Sequence, residues 1–213
     1  VDNQKHTLCR VPPVMSFFLT EIRRIAEDLN ASSISWCLVG GLAASVYAEP
    51  RTTKDIDVVV AIRSEQEIEN LKTFLLPRGY ATPFVLMHTE PTRRMGWRLI
   101  TTSSRGTELP LDILSSSCGI EHQIVEKSVQ LEVLPGVWLP VAALGHLIAM
   151  KVLSHHDISR LQDRVDLLAL LNVAQSNDIE LAREALTQIM QAGHGNGRNL
   201  LAELQAIIDS TST

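Results

Sequence analysis

Two adjacent glycines, Gly40-Gly41, end an apolar run over residues 34–39 and open a short stretch that returns through Arg51-Thr52-Thr53-Lys54-Asp55-Ile56-Asp57 into Val58-Val59-Val60. Neither glycine carries a Cβ, so the pair permits a tight turn and a close approach of backbone to a ligand. Residues 42–48 read as a short helix, and Pro50 argues against its continuing. Residues 56–62 are β-branched and apolar enough for a buried strand. Side chains alternate along a strand, which sends Asp55 and Asp57 to the same face. This strand–turn–helix–strand unit is the frame that the rest of the chain must fit.

Paired carboxylates at the mouth of a buried strand repel each other and resist desolvation, so they need a cation or a proton. Hard divalent cations such as Mg2+ (or Mn2+) prefer carboxylate oxygens and keep positions open for substrate phosphates. Glycines at a helix start offer backbone N–H groups to an anion. Together these features describe a seat for a metal–nucleotide complex. The plainer alternative is a polar strand entry with two solvated aspartates. Arg51 suits a phosphate because guanidinium presents paired donors, although Glu49 or Asp55 would also pair with it. Thr53 and Ser45 offer hydroxyls near the same place, where capping and turn roles serve equally well. Asp112 is the lone acid in Leu109-Pro110-Leu111-Asp112-Ile113-Leu114. On a buried strand it needs a partner, either a metal or one of the arginines just upstream. Lys151 lies in an apolar helical run, where it either snorkels to water or faces a cavity.

The pattern Gly-Gly, short helix, Arg-x-Thr-x-Asp-Ile-Asp resembles the nucleotidyltransferases of the DNA polymerase beta superfamily, and within it the AbiEii/AbiGii toxin-like group. The likeness covers residues 34–62, 109–115 and 137–171. It implies an α+β fold: a nucleotidyltransferase-like mixed sheet with flanking helices, followed by a C-terminal helical bundle. It also implies two divalent metals and transfer of an NMP from an NTP. By that resemblance Asp55, Asp57 and Asp112 are the catalytic metal ligands, with Asp112 also drawing the proton from the attacking hydroxyl. Gly40 and Gly41 would cradle the phosphates, and Arg51, Thr53 and Lys151 would add contacts to the nucleotide. Asp163 and Asp166, one helical turn apart, would orient Lys151 or the arginines. Many superfamily members have Gly-Ser where this chain has Gly40-Gly41, so a hydroxyl on the incoming phosphate is missing. The implied partners are an NTP and a hydroxyl acceptor on RNA, protein or a small molecule. An antitoxin protein joins them if the chain is the toxin of a pair. A noncatalytic nucleotide- or partner-binding module of the same fold is the alternative, and a metal-dependent phosphodiesterase a third.

Bulk properties narrow the setting. The formal net charge of −5 argues weakly against broad nonspecific binding to nucleic acid. Between Arg93 and Arg105 four arginines occur with no acidic residue, either a local basic groove or a solvated strand face. Three widely spaced cysteines (Cys9, Cys37, Cys118) form no Cys-x-x-Cys pair, which suggests neither zinc nor disulfides. No apolar run is long enough to span a membrane and residues 1–10 lack a signal-peptide core, so the expected setting is a reducing cytoplasm.

Phe18, Ile22, Ile25 and Leu29 predict an amphipathic helix over residues 15–30. Ser64 with Glu67 predicts a capping box opening a helix that runs to about residue 76. Strands are expected over 83–87, 97–102 and 109–114, then a pair of strands turning at Pro135-Gly136. Four helical runs follow, over 141–153, 159–173, 178–192 and 196–208. These patterns divide the chain into a catalytic domain over 1–139 and a helical domain over 140–213. His155-His156-Asp157 reads as an inter-helix loop rather than a metal cluster.

Overall fold

The computed structural model describes residues 13–81, 84–88, 93–102, 108–154 and 161–211. Cys9, Arg105 and His155-His156-Asp157 lie outside the described residues. The chain folds as an α+β protein in the order α1 (Pro13–Ala31), β1 (Trp36–Val39), α2 (Gly40–Tyr47), β2 (Ile56–Val60), α3 (Glu65–Leu75), β3 (Phe84–His88), β4 (Arg93–Thr102), β5 (Glu108–Leu114) and α4 (Glu121–Glu126). It continues through β6 (Val129–Leu134), β7 (Val137–Val141), α5 (Leu144–Ser154), α6 (Leu161–Val173), α7 (Ser176–Gln191) and α8 (Leu200–Thr211). The apolar stripe of α1 puts Ile22, Ile25 and Leu29 in the core, each contributing roughly 1.5–3 kcal/mol by leaving water. Ser64 caps α3 by accepting from the Glu67 N–H at 3.3 Å. Glu67 answers not at Ser64 but one residue earlier, accepting from the Arg63 N–H at 2.8 Å.

The strands form one seven-stranded mixed sheet in the order β3-β4-β5-β2-β1-β7-β6. β2 runs parallel to β5 and β1 parallel to β7, while the other neighbours are antiparallel. The register sets a row across the middle of the sheet: Val39 of β1 faces Asp57 of β2, Asp57 faces Asp112 of β5, and Asp112 faces Arg98 of β4. Residues directly opposite on neighbouring strands share a face, so the two acids and the arginine project together. β4 begins at Arg93 rather than at the expected residue 97, because β3 pairs along its length.

The helical half continues the same core. α5 packs against α6, α7 and α8, and α2 packs against α5 and α6. One cluster of buried side chains reaches from Ile22 through Val59 and Leu111 to Leu186 and Leu204. Within it His146 of α5 is 1 % exposed. Burial, assisted by the positive charge of Lys127, pushes its imidazole down to about 4. A histidine held neutral in the fold but free to protonate when unfolded stabilises fully above its ordinary value near 6.5. That contribution falls away as the pH drops toward 4. Melting curves between pH 7 and pH 5 should lose about 2 kcal/mol from this group. His146→Gln should flatten that slope, and an unchanged slope would mean that other groups carry it.

Candidate active site

The end of β1, the start of α2 and the entry to β2 meet at one side of the sheet and open onto a cavity of about 540 Å³. Gly40, Gly41, Arg51, Asp55, Asp57, Arg98, Asp112 and Lys151 all line it. Asp55, Asp57 and Asp112 each present a carboxylate oxygen, and the three lie within 4.8 Å of one another. Asp55 precedes β2, Asp57 is its second residue, and Asp112 is buried at 7 % exposure in β5. Three hard oxygen donors at this spacing are a chemically suitable seat for a divalent cation.

The glycines are required by the side chains around them. Gly40 has φ +67°, and a Cβ there would stand 2.0 Å from Asp57 Oδ2. A Cβ on Gly41 would stand 2.2 Å from an Arg51 guanidinium nitrogen. The close approach expected of a ligand is thus also a close approach of the acid and the cation. α2 starts at Gly40, two residues earlier than the expected 42, with no side-chain cap at Val39. Its first amides have no partner within the helix and open at the cavity. Gly40→Ala combines an unfavourable φ with displacement of Asp57. Misplacing a reacting group by about 1 Å costs about 100-fold in rate, so the variant should keep its fold and lose at least that much activity in a transfer assay.

Arg98 occupies the carboxylate cluster. Its Nε donates to Asp112 Oδ1 at 2.6 Å and its Nη2 to Asp112 Oδ2 at 2.7 Å, while Nη2 also reaches Asp55 Oδ2 at 3.4 Å. The bond to Asp112 raises the guanidinium pKa above its ordinary value; partial burial opposes it, and Asp55 and Asp57 add to the rise. Asp112 therefore satisfies the expectation of an upstream arginine while also joining the acidic triad.

A second ionic cluster adjoins the cavity, which Arg51, Lys151 and Asp163 line. Asp166 of α6 takes a two-pronged contact from Arg51, with Nε–Oδ1 at 2.7 Å and Nη2–Oδ2 at 2.8 Å. Lys151 of α5 donates to Asp163 at 2.6 Å and to Asp166 at 2.7 Å. Lys151, Asp163 and Asp166 are all buried. Burial works to raise the Asp166 pKa, but the hydrogen bonds from Arg51 and Lys151 prevail and hold it below the ordinary value. Thr53 turns inward, donating to the Asp55 carbonyl at 2.9 Å with Asp55 Oδ1 at 3.3 Å. Ser45 braces the same loop: its hydroxyl donates to the Gly41 carbonyl at 3.0 Å and accepts from the Arg51 N–H at 3.3 Å.

The model of the family described as nucleotidyl transferase AbiEii toxin, type IV toxin–antitoxin system, matches residues 24–210. That span includes every residue placed in the site above. The chain belongs to the AbiEii nucleotidyltransferase toxin family. Among solved structures this AbiEii family member is similar to an antigenic nucleotidyltransferase-like protein from Paracoccidioides brasiliensis, at 18% identity and TM-score 0.52, over 88% of this chain and 91% of that one. It is also similar to the lincomycin-bound lincosamide antibiotic adenylyltransferase LnuA, at 14% identity and TM-score 0.47, over 73% and 97% of the two chains. A further likeness is to ANT(2")-Ia in complex with adenylyl-2"-tobramycin, at 13% identity and TM-score 0.46, over 92% and 99%. No curated protein matches the chain. AbiEii membership makes the chain a nucleotidyltransferase, and its acidic triad offers oxygen ligands that could hold a metal ion.

Two parts of this AbiEii site were not anticipated. Arg98 had no position among the candidates beyond membership of an arginine-rich strand. Arg198, in a helical run outside the stretches that resemble the family, also lines the cavity. It donates to the Leu153 carbonyl at 2.7 Å and the Val152 carbonyl at 2.9 Å, closing the end of α5, and pairs with Glu203. Guanidinium at a helix C-terminus satisfies carbonyls that the helix itself cannot.

Proposed function

We propose that this AbiEii-family chain moves an NMP from an NTP to a hydroxyl acceptor on RNA, protein or a small molecule, using Mg2+ or Mn2+ held by Asp55, Asp57 and Asp112. The observation that carries the reading is the convergence of these three acids, from two strands and a loop, on a cavity that also receives the start of α2. A divalent cation bound there would neutralise charge on the triphosphate and favour departure of pyrophosphate.

The remaining roles belong to the chain's own groups. Amides at Gly40 and Gly41 would donate to the β and γ phosphates, doing part of the work of the hydroxyl that Gly-Gly lacks. Lys151 has three N–H donors and gives two to carboxylates, which leaves one for a phosphate oxygen. Arg51 would approach the same phosphates from its remaining donors while Asp166 fixes its plane. Thr53 would act through Asp55, whose carbonyl and carboxylate it touches. Asp112 would take the proton from the acceptor hydroxyl.

Residues 1–139 form the catalytic domain in this reading, and residues 140–213 a helical domain that supplies Lys151 and Asp166. The family name supports a toxin role with an antitoxin protein as partner. No described helix is long and apolar enough to cross a membrane. The free thiols of Cys37 and Cys118 suit the reducing cytoplasm proposed as its setting. Pyrophosphate release should require both a divalent cation and an added acceptor. Release of product from NTP or from RNA alone would favour the phosphodiesterase reading instead.

A further inference from the structure

Arg98 is the least expected group in the carboxylate centre, and its geometry is specific. It stands directly opposite Asp112 in the β4–β5 pairing, so the strand register fixes the contact. Both Asp112 oxygens accept from it, at 2.6 and 2.7 Å, and the same guanidinium reaches Asp55 at 3.4 Å. Two of the three acids that would ligate a cation are therefore already joined by a positive charge. The side chain of Arg98 is 38% exposed, against 10% for Asp112. The guanidinium can thus move toward water without disturbing the core, whereas the carboxylate cannot.

We infer that Arg98 is a built-in counter-cation of the acidic centre, competing with a divalent cation for Asp112. The inference rests on the reading of Asp55, Asp57 and Asp112 as metal ligands. Like charges opposite one another on neighbouring strands destabilise a sheet, and Arg98 relieves that repulsion between Asp57 and Asp112. The same positive charge, a few ångströms from the ligand oxygens, opposes a second cation arriving there. Arg98 is therefore a positioning residue that sets how tightly the centre takes metal, and the acids stay gathered before metal arrives.

The test is Mn2+ binding to the full chain, followed by the electron paramagnetic resonance signal of free Mn2+. Wild type would be measured beside Arg98→Gln, Arg98→Lys and Asp57→Asn. Arg98→Gln should bind Mn2+ about ten-fold or more tightly, the effect of one unit charge removed from a partly exposed site. Arg98→Lys, which keeps the charge and loses the two-pronged contact, should fall between the two. Adding Asp112→Asn to Arg98→Gln should remove the gain. If Arg98→Gln fails to fold, by its melting curve, Arg98→Lys carries the comparison against wild type. Unchanged or weaker binding in a folded Arg98 variant, with wild-type binding lost in Asp57→Asn, would overturn this inference and leave the metal reading standing. No Mn2+ binding by any of these proteins would overturn both.

Discussion

Asp57→Asn is expected to lower nucleotide transfer by about 1,000-fold or more while leaving the fold intact or slightly firmer. The loss follows from removing the acid at the centre of the row Val39–Asp57–Asp112–Arg98. Metal-assisted stabilisation of a transferring phosphoryl group is worth several kcal/mol, and about 4 kcal/mol corresponds to three powers of ten in rate. Stability should move the other way. Asp57 and Asp112 are like charges in direct register on β2 and β5, and relieving such a pair contributes roughly 0.2–1 kcal/mol. Initial rates of transfer, together with melting in the absence of divalent cation, measure both effects. Near wild-type activity would take Asp57 out of the chemistry, and an unfolded variant would place it in the structure instead.

Lys151→Met should be the most destabilising single change at the site. It removes a buried cation that donates to Asp163 and Asp166 at 2.6 and 2.7 Å. Breaking a buried ion pair from one side costs about 3–5 kcal/mol, because the remaining charge stays in a poorly solvated place. Asp166 keeps its contact with Arg51, which reduces its share of the penalty. Adding Asp163→Asn removes one of the two acids that Lys151 neutralises and should recover part of the loss, with Arg51 and Asp166 still paired. Urea unfolding of the single and double variants measures the recovery. Equal stability of the two variants would locate the cost in the lost packing of the lysine stem instead. Activity should stay low in both, because neither restores a donor for phosphate.

The parts of the site encoded within a few residues were legible in the sequence. Gly40-Gly41 and Asp55-Ile56-Asp57 are close in the chain, and strand alternation alone brings the two acids to one face. Asp112 stood out because an acid in an apolar strand needs a partner. Arg98 did not stand out among its neighbouring arginines. Its pairing with Asp112 depends on the register between β4 and β5, which no local pattern specifies. The contact between Arg51 and Asp166 joins positions 115 residues apart and exists only because α6 packs against α2. Thr53 and Ser45 offered hydroxyls to a nucleotide by proximity in sequence; in the fold those hydroxyls hold Asp55 and the Arg51 loop. The glycines were legible as points of close approach, but the sequence did not reveal that Asp57 and Arg51 fill the space a Cβ would need.

The helices and strands followed their patterns for a similar reason. The periodicity of α1 and the Ser64 cap of α3 are local properties, and the apolar stripe of α1 meets the core as expected. Where the bounds moved, long-range pairing or capping decided them. β4 extends to Arg93 through its pairing with β3, and α8 starts at Leu200 after Arg198 has turned back to close α5.

The most direct test of nucleotide transfer supplies each α-32P-labelled NTP in turn, with Mg2+ or Mn2+ and an extract of total RNA, protein and small molecules as acceptor. Wild type would run beside Asp57→Asn. Label from one or more NTPs is expected on a defined acceptor, dependent on the divalent cation and absent with the variant. Label on no acceptor, together with no rise in melting temperature on adding Mg2+-NTP, would contradict nucleotide transfer.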